Sequence, residues 1–361
     1  SVRCWEPRAA SSEPVPFDIA PEKYRQGTRD VVALIPNDKV KGYLDLKRAI
    51  TFATDDRNLQ QIFQRGLKDA YIPSQKFRIP ADSAFCFGPQ GMLTAKDTAN
   101  FTGDVRWTIN KQYVLKNHFM MMDLLANNDW KRPIYFAVTT GPDSYLDLQD
   151  YFRLEGLTYR LVPVASHSNN PNAYGSVATD QMLDNVLHKF VWGGMDYAGG
   201  VYLDENVLRM TTNLRLQIAT LADQLATEGR DADAKTVLDL AVQKMPEKNV
   251  PYDRIMLPII EAYYHAGDTT AANALNKRLF TIMDDNMNWY LSLSPKFADK
   301  VSDDMGMAGL VMQRLARSAQ AGGQKALGDS LSTRAAELDT LYREKLEDIE
   351  TQGLRTSKAR F

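Results

Sequence analysis

Helical and strand patterns that interleave up to about residue 165, then helical periodicity alone after Leu203, predict an α+β protein. The expected order is a compact α/β unit followed by an all-α domain of helical repeats. The expected division is an extended linker over 1–38, an α/β domain over 39–200 and a repeat domain over 201–361. At 361 residues the chain is long enough for two or three packed cores.

Residues 1–38 are rich in proline and charge, which predicts extended chain, with Pro21-Glu-Lys-Tyr-Arg as a short helix. From Gly42 the apolar residues Tyr43, Leu44, Leu46, Ala49, Ile50, Phe52 and Ala53 recur at helical spacing, and Asp45 suits the first turn. Gln75 to Pro80 and Val105 to Ile109 alternate as short strands do, and Pro80 ends the first of them. Residues 112–127 place Val114, Leu115, His118, Met121, Met122 and Leu125 on one helical stripe. Pro133 stops that helix, Ile134 to Val138 has strand composition, Asp147 to Tyr151 reads as helical, and Leu157 to Val164 as a strand. Ser166 to Gly175 is turn chemistry and predicts a surface loop. Asp180 to Phe190 predicts a short helix, with Gly193-Gly194 and Gly199-Gly200 as joints.

After Leu203 the helices come in pairs. Leu208 to Glu228 closes at Gly229, and Ala232 to Met245 stops at Pro246. Leu221, Ala222, Leu225, Ala234, Leu238, Ala241 and Pro246 fall at the packing positions of a tetratricopeptide repeat, which this pair resembles. A second copy follows, with Ile259, Tyr263, Gly267 and Ala272 in register but Asn276 and Leu279 out of pattern. A third pair, roughly 300–320 and 325–350, rests on helical periodicity alone. Three such units are about the minimum for a stable stack.

Composition excludes some functions. A net charge of −2 with mixed signs gives no basis for a nucleic-acid partner. Cys4 and Cys86 are too few for a disulfide framework and lack metal-ligand spacing; a bridge between them would need an oxidising compartment. No window approaches the roughly 20 consecutive apolar residues of a membrane span. The start, Ser1-Val-Arg-Cys, has neither an initiator Met nor an apolar signal core, and reads as a piece cut from a longer chain.

No catalytic constellation, metal set or cofactor motif emerges. His118, His167, His188 and His265 share no ligand spacing, and His118 reads as a packed core histidine. The glycine pairs lack the strand, helix and lysine of a phosphate loop. The neighbours Asp55-Asp56, Asp284-Asp285 and Asp303-Asp304 diverge around a helix rather than facing one site. The binding cluster the residue types suggest is Trp130, Arg132, Tyr135, Arg153, Glu155, Tyr159, Trp192 and Asp196. Aromatic faces beside Arg and carboxylate are what sugar or peptide recognition needs, although the same residues would equally hold a domain seam together. A second candidate surface is a helical groove lined by Asn213, Arg215, Gln217, Asp253, Arg254 and Tyr264.

The segment Asn127-Asn-Asp-Trp-Lys-Arg-Pro-Ile-Tyr-Phe-Ala-Val, preceded by Lys116-Asn-His-Phe-Met-Met-Met-Asp, carries the strongest resemblance. With Pro21-Glu-Lys-Tyr, Lys41-Gly-Tyr-Leu-Asp-Leu-Lys, Ile72 to Pro80, Phe190-Val-Trp-Gly-Gly-Met-Asp and Val201-Tyr-Leu-Asp-Glu-Asn, it is similar to the C-terminal soluble part of a bacterial family of multi-spanning membrane proteins. That family is of unknown function and resembles protein O-mannosyltransferases. The resemblance implies a lipid-linked sugar donor, a catalytic acid in a membrane half outside this chain, and a location on the periplasmic side of the inner membrane. It therefore implies a non-catalytic accessory domain whose partners are its own membrane domain and an acceptor protein or peptide, or a glycan. A free-standing repeat adaptor and a carbohydrate-binding module are the alternative readings. Asp82-Ser-Ala, Asp97-Thr-Ala, Asp268-Thr-Thr, Asp329-Ser-Leu and Asp339-Thr-Leu also look like three-residue O-glycosylation sites of some periplasmic proteins.

Overall fold

A computed structural model describes residues 17–63, 68–88, 91–167 and 174–352. It is α+β, and divides into a compact α/β unit ending at Ala178 and a helical unit from Thr179 onward. Cys4 and most of the 166–175 loop lie outside the described residues, as does the first part of the expected linker.

In chain order the first unit runs α1 (Pro21–Tyr24), β1 (Val31–Leu34), β2 (Leu44–Asp45), α2 (Leu46–Thr54), β3 (Tyr71–Ile72), β4 (Lys76–Pro80), α3 (Ser83–Cys86), β5 (Asp104–Thr108), β6 (Tyr113–Leu115), α4 (Lys116–Asn127), β7 (Tyr135–Ala137), β8 (Phe152–Leu154), β9 (Thr158–Leu161) and β10 (Ser176–Val177). Among the described residues the strands form three small sheets, ordered β3-β1-β6, β2-β4-β5 and β10-β8-β9-β7. The α2 stripe Leu46, Ala49, Ile50 and Ala53 is buried, and the helix packs on α4. Asp45 is its N-cap rather than a first-turn residue, accepting from the Arg48 amide at 3.4 Å.

Two expectations are corrected here. Residues 31–34 are not extended linker: Val32, Ala33 and Leu34 are buried in the central strand of the first sheet. Residues 113–115 are strand rather than the first turn of a helix, so Val114 packs from a sheet. His118 is buried, as its place on the stripe predicts, and burial pulls its imidazole below the ordinary value. Cys86 is a buried free thiol. Asp82 caps α3, an ordinary structural use of the aspartate in one of the glycosylation-like tripeptides.

The end of α4 is built with care. Asp129 and Trp130 both take left-handed φ values, 45° and 60°, unusual for such side chains. Two hydrogen bonds hold the reversal. Asn128 Nδ2 donates to the Arg132 carbonyl at 2.7 Å, and Trp130 Nε1 donates to the Pro80 carbonyl at 2.7 Å. The loop is thereby tied to the end of β4, and β7 begins five residues later.

The helical unit runs α5 (Thr179–Asp184), a π turn (Asn185–Lys189), α6 (Glu205–Thr227), α7 (Asp231–Lys244), α8 (Met256–His265), α9 (Thr269–Ser292), α10 (Pro295–Ala298), α11 (Ser302–Ala321) and α12 (Lys325–Thr351). The pairs α6–α7, α8–α9 and α11–α12 are hairpins that pack in sequence. Each turns on one device. Gly229, Gly267 and Gly323 follow α6, α8 and α11 with φ of 75°, 74° and 78°, where a side chain would be strained. In each case the next residue's amide reaches five residues back, from Arg230 to Leu225, Asp268 to Tyr263 and Gln324 to Ala319, at 2.8–2.9 Å. The third pair, lacking a sequence motif, thus shares the turn geometry of the first two. Asp268 then caps α9. Among the described residues no helix is long and apolar enough to cross a membrane.

Candidate functional site

Six of the eight residues selected from sequence lie on the α/β unit. Strand alternation sorts them. Register places Tyr135 opposite Arg160, Arg160 opposite Arg153, and Arg153 beside Ser176, so these four form one row across the outer face of the four-stranded sheet. Phe136, Phe152, Leu154 and Tyr159 point to the other face, into a core closed by Tyr145. Tyr159 is therefore a core residue, its ring stacked on Phe152 at 5.4 Å, and burial pushes its phenol up. Trp130 is also a structural residue, 8% exposed and bonded to β4. Arg132 is half-buried in the loop between α4 and β7.

On the outer row the charges are matched. Arg153 makes a bidentate pair with Asp97 at 2.6 and 3.3 Å, both side chains only 13% exposed. Burial opposes ionisation of Asp97, but the Thr94 amide and Arg153 together hold its carboxyl below the usual range. Glu155 accepts from the Tyr135 hydroxyl at 3.0 Å and from Arg160 Nη1 at 3.5 Å, while the Arg160 guanidinium lies 5.9 Å from the centre of the Tyr135 ring. Burial first, then the Glu155 charge, push the Tyr135 phenol up to about 12. The Tyr135 ring is 45% exposed. Chemically the row is a cation-backed aromatic platform with its acids already engaged.

Trp192 and Asp196 belong to the helical unit. Trp192 is half-buried with its ring 6.0 Å from that of Phe190. Asp196 pairs with Lys244 at 2.6 Å, and that hydrogen bond holds its carboxyl below the ordinary value. The groove set is corrected in part. Arg215 and Gln217 do not face solvent; they are 4% and 3% exposed, inside the contacts that α7 and α8 make with α6. Among the described residues no group of three or more His, Cys, Asp or Glu is placed to hold a metal.

Sequence reasoning passed over the exposed face of the β2-β4-β5 sheet. Arg78 and Arg106 stand directly opposite one another there, with Asp45 next to Arg78 on β2. Lys39, Lys41 and Arg48 close the same open concavity of about 520 Å³. The alternation in Lys76 to Pro80 and Val105 to Ile109 assigns both arginines to a polar face, but only strand register makes them neighbours.

A family model for TMEM260-associated domain 2 matches residues 3–181. The matched stretch covers the α/β unit almost to the residue and stops inside α5, before the hairpins begin. No curated protein and no solved structure matches the chain.

Proposed function

We propose that this chain is the extramembrane accessory part of a membrane-embedded glycosyltransferase of the protein O-mannosyltransferase type. The observation that carries the reading is the match of TMEM260-associated domain 2 to residues 3–181, since its namesake is described as an O-mannosyltransferase-like membrane protein. The α/β unit supplies a braced platform next in sequence to the transferase, and the hairpins supply the surface that engages an acceptor protein or complex partner. The tetratricopeptide-like reading of the first hairpin is supported by its packing. Leu221, Ala222, Leu225, Ala234, Leu238 and Ala241 are all buried between helices whose small residues permit close approach. The sequence resemblance adds the periplasmic side of an inner membrane as the location, and a catalytic acid carried by the membrane half.

Fractionation of source cells with an antibody raised against this chain tests the reading. A band much larger than this chain in the inner membrane supports it. A soluble band of this chain's own size overturns it.

A further inference from the structure

We propose that the concavity on the exposed face of the β2-β4-β5 sheet binds a phosphoryl group, held by Arg48, Arg78 and Arg106 with Lys39 and Lys41 at its rim. The site is independent of the transferase reading. Five cations and one carboxylate, Asp45, line it, in a chain whose net charge is −2. The lining therefore carries a local excess of positive charge.

The nearby acids are already engaged. Asp45 accepts from the Arg48 amide as the cap of α2. Asp104, with a side chain 7% exposed, accepts from Arg106 Nε at 2.9 Å and lies 3.9 Å from Arg78 Nη1. One buried carboxylate thus faces two guanidinium groups, and among the described residues no acid pairs with Lys39, Lys41 or Arg48.

Asp104 offsets one of the two arginine charges, so the opposed pair keeps an excess of positive charge. Like charges directly opposite on antiparallel strands repel, with Cβ atoms about 5 Å apart. The buried Asp104 accounts for a cation at this pair, but both arginine side chains stay roughly half exposed, 46% for Arg78 and 55% for Arg106, and so within reach of a ligand. A phosphoryl group offers three oxygens and up to two negative charges to this pair, and guanidinium forks match that geometry. The backbone beneath is fixed: Tyr151 bonds both the amide and the carbonyl of Arg106, so the fork is presented from a rigid strand. Tyr43, 40% exposed at the rim, gives an apolar face for whatever carries the phosphate.

The carrier is a soluble phosphorylated molecule or an anionic lipid headgroup, and two arms of one experiment separate them. The first titrates pyrophosphate into the full 361-residue chain by calorimetry at low salt. The second sediments the chain with phosphatidylcholine vesicles, with and without 30% phosphatidylglycerol (roughly the anionic fraction that gives surface potentials of tens of millivolts). Arg48→Gln and Lys41→Gln are the test variants, since neither side chain has an ion-pair role in the fold. Lys277→Gln, an exposed lysine of α9, is the control.

Each test variant is expected to weaken binding about tenfold, the effect of losing one charge-assisted hydrogen bond, and the control to leave it unchanged. Pyrophosphate binding assigns a soluble carrier. Binding to phosphatidylglycerol vesicles alone assigns a lipid. Failure of the wild type to bind either probe overturns the site, and so does equal binding by wild type and test variants.

Discussion

Tyr151 bonds the same residue twice. Its hydroxyl accepts from the Arg106 amide at 3.0 Å and donates to the Arg106 carbonyl at 2.9 Å, so one phenol satisfies both backbone groups on the open edge of β5. An edge strand otherwise exposes these groups to water or to another chain. The contact joins the 3-10 turn before β8 (Gln149–Tyr151) to the β2-β4-β5 sheet, and so couples two of the three sheets formed among the described residues.

Tyr151→Phe removes only the oxygen and preserves the packing of a ring that is 7% exposed. We expect a loss of about 1–2 kcal/mol in urea unfolding, the range for two partly compensated hydrogen bonds. Amide exchange at Arg106 should accelerate beyond that global loss. Unchanged exchange at Arg106 would show that the edge is protected by something else.

Arg215 is a buried cation with carbonyls, rather than an acid, as its hydrogen-bond partners. Its guanidinium donates to the carbonyls of Met245 at 3.1 Å, Val250 at 2.6 Å and Pro251 at 2.9 Å, and its centre lies 5.2 Å from that of the Tyr252 ring. Burial lowers its pKa from the ordinary value. Arg215→Met fits the space but leaves three carbonyls unpaired, at an expected cost of about 3 kcal/mol in denaturant unfolding. Arg215→Lys keeps the charge but reaches fewer of the acceptors and should fall between. A Met variant as stable as wild type would make the clamp dispensable.

These residues also show what could be read from sequence. The α2 stripe and the alternation of Lys76 to Pro80 are local patterns with one buried face, and both elements sit where periodicity puts them. Val31 to Leu34 has no alternation to detect, because a strand in the middle of a covered sheet is apolar on both faces. Arg215 and Gln217 read as solvated positions on a helix, yet the middle of α6 is enclosed on most sides by α7 and α8. The outer row illustrates the limit for sites. Tyr135, Arg153 and Glu155 were selected by residue type, but Arg160, which links them, becomes their neighbour only through register.

Asp123 gives the α/β unit a pH dependence of identifiable sign. Fully buried on α4, it accepts from the amides of Asp18 and Ile19 at 3.0 and 3.1 Å and from Asn127 Nδ2 at 2.8 Å. Burial raises its carboxyl above the ordinary 3.8, although the Ile19 and Asp18 amides act the other way. A carboxyl raised on folding binds more protons in the folded state than in the unfolded one. Its contribution to stability therefore falls as pH rises from 3.8 through the folded value, then levels off. Carboxylates held low, such as Asp56 and Asp97, act in the opposite direction and below 3.8. Subtracting the unfolding free energy of Asp123→Asn from that of wild type across this range isolates the term. The difference should decline with rising pH; a flat or rising difference contradicts the assignment.

Asn249 holds the glycine-rich stretch that precedes α6. Its Nδ2 donates to the carbonyls of Met195 at 2.8 Å and Tyr197 at 3.0 Å, and its Oδ1 accepts from the Val201 amide at 3.1 Å. One side chain thus satisfies three backbone groups of a segment with little apolar burial of its own. Tyr197 and Tyr202 in that segment are 65% and 90% exposed, which makes them accessible chymotrypsin sites once the backbone can open. Asn249→Ala should cost about 2 kcal/mol, from one lost amide and three backbone groups left to water. Because that cost falls on a local opening, cleavage after Tyr197 and Tyr202 should quicken tenfold or more, roughly the ratio that 1.4 kcal/mol represents. Cleavage between α6 and α9 should change far less. If both regions are cut at the wild-type rate, the segment is held by contacts other than Asn249.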